Sequence, residues 1–253
     1  MLLNDIIRQL EEKHGCTVGC FIQDAQSGEV LARHQEGKVF KSASLIKTPI
    51  MLCALEEVEN GNLSLEGKIP VQPCHCVGDE APVIQNGRDV PLAVLLEYMI
   101  TDSNNSATNV LIDLLGMDKI NAFSQRIGLR DTLLRRHMLD FESARQGREN
   151  LTSASDMLYL YTLPFKQEVL TPFMCETALP ILLRQHDKEL LMFANPAQKA
   201  AHKTGGLSDI AHDAGILYGE KRTLVFAALV TATCDAQCIA LLQELSPHIL
   251  ALL

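Results

Sequence analysis

Strand-forming sequence lies at both ends of this chain, and a long helix-forming stretch, residues 44 to about 186, separates them. Strands with an apolar face must pair with one another, so the two ends have to meet and the middle has to form a lobe of its own. Near the N-terminus, Thr17-Val18-Gly19-Cys20-Phe21-Ile22-Gln23-Asp24 reads as a strand, Gln26-Ser27-Gly28 as a turn, and Glu29-Val30-Leu31-Ala32-Arg33 as the returning hairpin strand. Near the C-terminus, Lys199 to Thr204 reads as a short strand and Ala211 to Tyr218 as a longer one. The β-branched run Thr223 to Thr231 follows after the turn Gly219-Glu220-Lys221-Arg222. An amphipathic helix around Ile6, Ile7 and Leu10 opens the chain, and a helix from about Ala236 to Leu252 closes it. Between them, Leu92 to Thr101, Ala107 to Leu115, Asp118 to Ile127 and Ser155 to Leu163 carry helical periodicity, broken by Gly, Asn and Pro. This order predicts an α+β fold: an antiparallel five-stranded sheet flanked by terminal helices, with a large helical insertion. One domain, 1–253, is expected, with a sheet lobe of about 1–43 and 187–253 and a helical lobe of about 44–186. The seam between the lobes is where a pocket is expected.

The 253 residues are 47% hydrophobic, enough for a large core, and the net charge of −9 argues against nucleic acid or an anionic membrane surface as partner. No run of 18 apolar residues exists to span a bilayer. Met1-Leu2-Leu3-Asn4-Asp5 lacks the basic start and apolar segment of an export signal, which suggests a cytoplasmic chain as it stands, or a periplasmic or secreted one if a signal had been removed. The 8 cysteines then read as reduced thiols, mostly buried. Cys74-His75-Cys76 is the one metal-like cluster. Its ligands are adjacent and no second group follows at zinc-ribbon spacing, so no metal or cofactor is expected.

Three strings carry chemistry: Ser44-Leu45-Ile46-Lys47, Ser103-Asn104-Asn105 and Lys203-Thr204-Gly205. A serine followed three residues later by lysine arises about once by chance in a chain of this size. The three together, in this order and each on a plausible element, are a far more specific signal. A serine hydroxyl needs an adjacent base to become a nucleophile, and residues i and i+3 share a helix face. Ser44 opens the apolar run that continues through Leu55, with Pro49 in its first turns, so Ser44 and Lys47 fit the start of a helix. Unpaired backbone N–H groups at such a helix start can stabilise an oxyanion. Lys47 and Lys203 converging on one pocket would favour an anionic substrate and depress each other's pKa. By itself, Ser103-Asn104-Asn105 would be read as a helix N-cap.

These three strings are the signature set of class A β-lactamases and penicillin-binding proteins. The chain resembles that serine-hydrolase family over nearly its whole length. Met99 to Ile112 is similar to the helix bearing the family's second motif, and Lys203-Thr204-Gly205-Gly206 is similar to its sheet-edge strand. The resemblance implies Ser44 as the acylated nucleophile, Lys47 as its base or proton relay, and Ser103 as proton donor to the leaving nitrogen. It also implies that Asn105 binds the substrate's side-chain amide and that Lys203 and Thr204 hold its carboxylate. The backbone N–H groups of Ser44 and Gly206 would form the oxyanion hole.

Two departures stand out. Asn104 replaces the family's usual aspartate, keeping its shape but not its charge. In addition, residues Arg135 to Thr152 contain no E-x-x-L-N pattern, the element that supplies the glutamate activating the deacylating water in class A enzymes. Asp140 and Glu142 are the candidates to replace it, against the simpler reading of solvated loop carboxylates. His202 and the pair His212-Asp213, next to the third motif, read as structural.

The expected activity is serine acyl hydrolysis, with β-lactam hydrolysis through a Ser44 acyl-enzyme and slow deacylation as the leading form. A D-alanyl-D-alanine peptidase or a small-molecule amidase or esterase is the alternative enzyme. A β-lactam-binding sensor that stays acylated is the alternative of another class. The expected partner is a small carboxylate-bearing amide or β-lactam.

Overall fold

In a computed structural model the chain is described over residues 2–78, 81–166 and 171–253. It opens with α1 (Leu3–His14), β1 (Thr17–Asp24), β2 (Val30–His34) and the short β3 (Val39–Lys41). A single 3-10 turn (Ala43–Ile46) leads into α2 (Lys47–Glu59), and β4 (Lys68–Pro70), β5 (Asp89–Pro91), α3 (Leu92–Thr101), α4 (Asn105–Leu115) and α5 (Met117–Arg126) follow. The middle ends with α6 (Phe141–Arg145), β6 (Leu151–Ser153), α7 (Ala154–Lys166) and α8 (Pro172–Leu183). The chain then returns through β7 (Ala200–Leu207), β8 (Ile210–Tyr218), β9 (Thr223–Thr231) and α9 (Asp235–Leu250).

The two ends do meet. The main sheet has five strands in the order β2-β1-β9-β8-β7, and each neighbouring pair is antiparallel. The N-terminal strand β1 lies against β9 over its full length, from Thr17 opposite Thr231 to Asp24 opposite Leu224. This sheet is covered on both faces, so its central strand is apolar on both. Val225, Ala227 and Leu229 of β9 face the helical lobe with Leu45, Ile50 and Met157. Leu224, Phe226, Ala228 and Val230 face α1 and α9, where Ile7, Leu241 and Leu245 close the second core. Each such fully buried Leu, Ile or Phe contributes roughly 1.5–3 kcal/mol relative to exposure.

Most predicted elements fall where expected, and the differences are local. The helix expected to open at Ser44 begins instead as the 3-10 turn, with regular α-helix from Lys47. β7 runs on to Leu207, so the whole third motif lies within the strand. Two short pairs, β3 with β6 and β4 with β5, were not predicted. None of the 8 cysteines forms a disulfide, and Cys74, Cys76 and Cys234 are the exposed ones. Among the described residues, no helix is long and apolar enough to cross a membrane.

Candidate active site

Ser44 sits on a tight turn clamped from two sides. Ala43 before it adopts φ 45°, a left-handed conformation that costs a residue with a side chain about 1 kcal/mol or more. The end of β7 packs directly on this turn. A Cβ on Gly205 would lie 3.2 Å from the Ser44 backbone nitrogen and 3.2 Å from the Ala43 Cβ, so any larger residue would press the strand and the turn apart. On the other side, the Ser42 N–H donates to the Asn150 carbonyl at 2.7 Å, fixing the turn to the end of the 135–150 loop. Ser44 lies in the 3-10 turn and Lys47 caps it three residues on, a spacing that sets the two on one face.

Lys47 is fully buried. A buried amine is tolerated when its N–H groups find acceptors. The Lys47 Nζ donates to the Ser103 carbonyl, to Ser103 Oγ at 3.1 Å and to Asn105 Oδ1 at 2.8 Å. These bonds join the start of α2 to the α3–α4 junction, 56 to 58 residues away in sequence. Ser103, at this junction, itself has φ 55°, left-handed like Ala43 beside Ser44. Asn104 is the N-cap of α4: its Oδ1 accepts the Ala107 N–H at 2.8 Å, and its carbonyl accepts the Thr108 hydroxyl at 2.7 Å. An aspartate would cap equally well but would place a charge where Asn104 is only 3% exposed. Both roles therefore hold in one tripeptide: the cap belongs to Asn104, and its neighbours are the groups bound to Lys47.

The open cleft beside Ser44 is lined by Ser44, Asn105, Gly206, Met138, Leu139 and Phe141, with Arg136 and Asn150 among the remaining walls. Lys203 is fully buried and is not part of this lining; its Nζ donates to the Thr204 carbonyl at 2.9 Å. Burial pushes the Lys203 ammonium down to about 8, while Asp187 and Asp213 pull it upward. The cause is therefore desolvation, and not repulsion from Lys47 as the sequence suggested. Thr204 and Gly205 line a second depression with Asp187 and Glu189, which shares Gly206 and Leu207 with the Ser44 cleft.

The 135–150 loop is pinned at its base. Arg136 is 7% exposed and pairs with Glu149 at 2.9 Å. The Asn150 Oδ1 accepts the N–H groups of Arg135 at 2.7 Å and Arg136 at 3.0 Å. Asn109 of α4 holds Met138 through its backbone N–H at 2.8 Å and carbonyl at 3.3 Å. The loop thus turns Met138 and Leu139 toward the cleft. Neither Asp140 nor Glu142 is among the cleft residues. Asp140 caps α6, accepting the Ser143 N–H at 2.9 Å and its hydroxyl at 2.5 Å, and these bonds hold its carboxyl below the usual range. Glu142 is exposed and pairs with Arg145 and Gln146.

The flanking histidines serve the fold. Val230 N–H donates to His212 Nδ1 at 3.0 Å, so Nε2 carries the proton and donates to the Lys41 carbonyl at 2.9 Å. Burial lowers the His212 pKa to about 4. His202 and Asp213 are both buried and bonded at 2.8 Å, on the face of the sheet away from Ala201 and the helical lobe. The sequence reading missed Arg136, Met138, Leu139, Phe141 and Asn150; the opposite charges of Arg136 and Glu149 at the loop's two ends were the available signal.

A family model described as "Beta-lactamase enzyme family" matches residues 2–253. Beta-lactamase VEB-1 of Pseudomonas aeruginosa is 32% identical over 92 residues, 33% of this chain and 30% of that protein. D-alanyl-D-alanine carboxypeptidase DacB2 of Mycobacterium tuberculosis is 30% identical over 117 residues, 44% of this chain and 38% of that protein. The chain therefore matches well under half the length of these curated relatives. Among solved structures, an acyl-enzyme complex of a PBP-A mutant with penicillin G has a TM-score of 0.88 at 25% identity, covering 99% of this chain and 95% of that one.

Proposed function

Since the chain belongs to the β-lactamase enzyme family of serine hydrolases, we propose that it opens β-lactam rings through an acyl-enzyme on Ser44. Lys47 first gives up one of its three N–H protons to solvent, and as the Ser44 Oγ attacks the ring carbonyl, the Ser44 proton passes to the lone pair of this neutral amine. The oxyanion that forms is stabilised by the backbone N–H groups of Ser44 and Gly206. Collapse of the tetrahedral species breaks the C–N bond, and Ser103 delivers a proton to the leaving nitrogen. Asn105 binds the substrate's side-chain amide from the cleft wall, and Lys203 and Thr204 attract its carboxylate. Water then hydrolyses the Ser44 ester.

The observation that carries this reading is the hydrogen-bonded set in which one buried amine, Lys47, holds Ser103 Oγ and Asn105 Oδ1 one helical turn from Ser44. Such prior positioning of base and proton donor is what general acid–base catalysis of acyl transfer requires. Met138 and Leu139 on the cleft wall favour a second reading, a protein that is acylated and turns over very slowly. These apolar side chains line the cleft beside Ser44 and cannot activate water.

The test is incubation with a chromogenic cephalosporin, followed in time by absorbance and intact mass. Sustained colour with a transient mass increase supports the β-lactamase reading. One equivalent of colour and a lasting adduct supports the slowly turning-over binder. No colour and no adduct, with release of D-alanine from an acyl-D-alanyl-D-alanine peptide, would replace both readings with a peptidase.

A further inference from the structure

Away from the Ser44 cleft, a second cavity is lined by Cys74, Asn109, Asp113, His137, Met138 and Asp140. Cys74, His75 and Asp113 offer ligand atoms within 4.8 Å of one another. His137 lies outside that set but lines the same cavity, and its Nε2 is 2.6 Å from Asp113 Oδ1. We propose that Cys74, Asp113 and His137 form a binding site for a divalent transition-metal ion of the Zn²⁺ type, with His75 holding the carboxylate from behind.

The assignment of roles follows from the hydrogen bonds. His75 Nδ1 accepts the Gln72 backbone N–H at 3.0 Å, so its proton is on Nε2. That Nε2–H points at Asp113 Oδ2, 3.0 Å away. A ring whose Nδ1 lone pair is taken by a backbone amide has no lone pair left for a metal. His75 is buried and is the outer partner of a carboxylate ligand, an arrangement that orients ligands at metal sites. His137 is different, because its exposed ring can carry its proton on Nδ1 and present Nε2 to the cavity.

Thiolate, carboxylate and imidazole are the donor types that zinc accepts, and three protein ligands leave a fourth position for water. Zinc–ligand bonds of about 2.0–2.3 Å in a tetrahedron require N···O separations of about 3.3 Å. The His137–Asp113 contact must therefore open by about 0.7 Å and the His137 ring must swing toward Cys74, movements that these two exposed side chains permit. On binding, the Cys74 thiol gives its proton to solvent, and the charges of Zn²⁺, one thiolate and one carboxylate cancel. Cys76 is excluded from this set: it does not line the cavity, and its thiol points back to the Gln72 carbonyl at 3.7 Å. The site lies behind the loop that walls the Ser44 cleft, since Met138 and Leu139 line both cavities.

The experiment is titration of the reduced, metal-free full chain with Co²⁺, read by the thiolate-to-cobalt charge-transfer band, and with Zn²⁺ by calorimetry. One equivalent of each is expected to bind, with the band present. Cys74→Ser should abolish the band and weaken Zn²⁺ at least tenfold, and His137→Gln and Asp113→Asn should also weaken it at least tenfold. Cys76→Ser and Cys234→Ser should bind as the unmodified chain does. Absence of the band, its persistence in Cys74→Ser, or its loss in Cys76→Ser or Cys234→Ser would overturn the proposal.

Discussion

The Lys47 amine and the Ser103 hydroxyl are held 3.1 Å apart although one residue opens α2 and the other lies between α3 and α4, 56 residues on. The same nitrogen also reaches the Ser103 carbonyl and Asn105. The contacts among Lys47, Ser103 and Asn105 therefore exist before substrate arrives, and under the proposed mechanism truncating Lys47 or Ser103 should damage acylation more than folding.

Lys47→Ala and Ser103→Ala are each expected to slow acylation by roughly two orders of magnitude or more, the usual scale for removing a general acid or base. Because the two groups act together, the double variant should be little slower than the worse single one. Pre-steady-state acylation rates with a chromogenic cephalosporin measure this. Additive losses would mean that the two residues act independently.

Lys203 gives a pH dependence whose sign follows from its burial. Its pKa is lowered from 10.5 to about 8, so the charged form that attracts a carboxylate is present below that value and lost above it. The kcat/KM for carboxylate-bearing substrates should fall as pH rises through about 8, while a neutral ester is spared. The fall should vanish in Lys203→Ala. Folding stability carried by this group moves the other way, rising with pH between about 8 and 10.5, because there the unfolded chain binds the extra proton. A carboxylate substrate and a neutral ester with the same pH profile would remove Lys203 from the binding role.

Gly205→Ala should misplace the nucleophile. The added Cβ would meet the backbone nitrogens of Ser44 and Leu45 at 3.2 and 3.3 Å, so the turn must shift. Overpacking of this kind costs about 1–3 kcal/mol, and a sub-ångström displacement of a reacting group can cost tenfold or more in rate. Gly206→Ala, whose Cβ meets nothing nearer than 3.9 Å, should leave the thermal midpoint unchanged. Thermal unfolding and acylation rates of the two variants make the comparison.

Much of this architecture was legible in the sequence, and the reason differs by element. β1 and β9 are read at their observed limits because β-branched and apolar residues cover both faces, a signal that needs no tertiary context. The start of α2 was not, because its 3-10 turn is imposed by β7: Gly205, some 160 residues away, packs on Ser44 and Ala43 takes φ 45°. β3 and β6 have three residues each, too few to show any periodicity. The three motifs identified the candidate catalytic residues, yet the cleft wall formed by Met138, Leu139 and Phe141 had no motif to mark it. The Cys74 cavity was half visible. Cys74-His75-Cys76 drew the eye, but Asp113 lies 38 residues from His75 and 24 from His137, and only folding joins them.

Deacylation should limit turnover with β-lactams, because the cleft wall carries Met138 and Leu139 and no carboxylate from Asp140 or Glu142. Stopped-flow traces should show a burst of about one product per enzyme, then a slow steady rate. Asp140→Asn and Glu142→Gln should change neither phase by more than about twofold, as both side chains serve the loop. Loss of the steady rate alone in either variant would identify that carboxylate as the base.

The central claim is that Ser44 forms the acyl-enzyme, and mapping a penicillin adduct by peptide mass tests it most directly. After reaction with benzylpenicillin, the peptide containing Ser44 should carry the whole added mass, on Ser44 itself, and Ser44→Ala should carry none. An adduct on another residue, or an undiminished adduct in Ser44→Ala, would contradict the account.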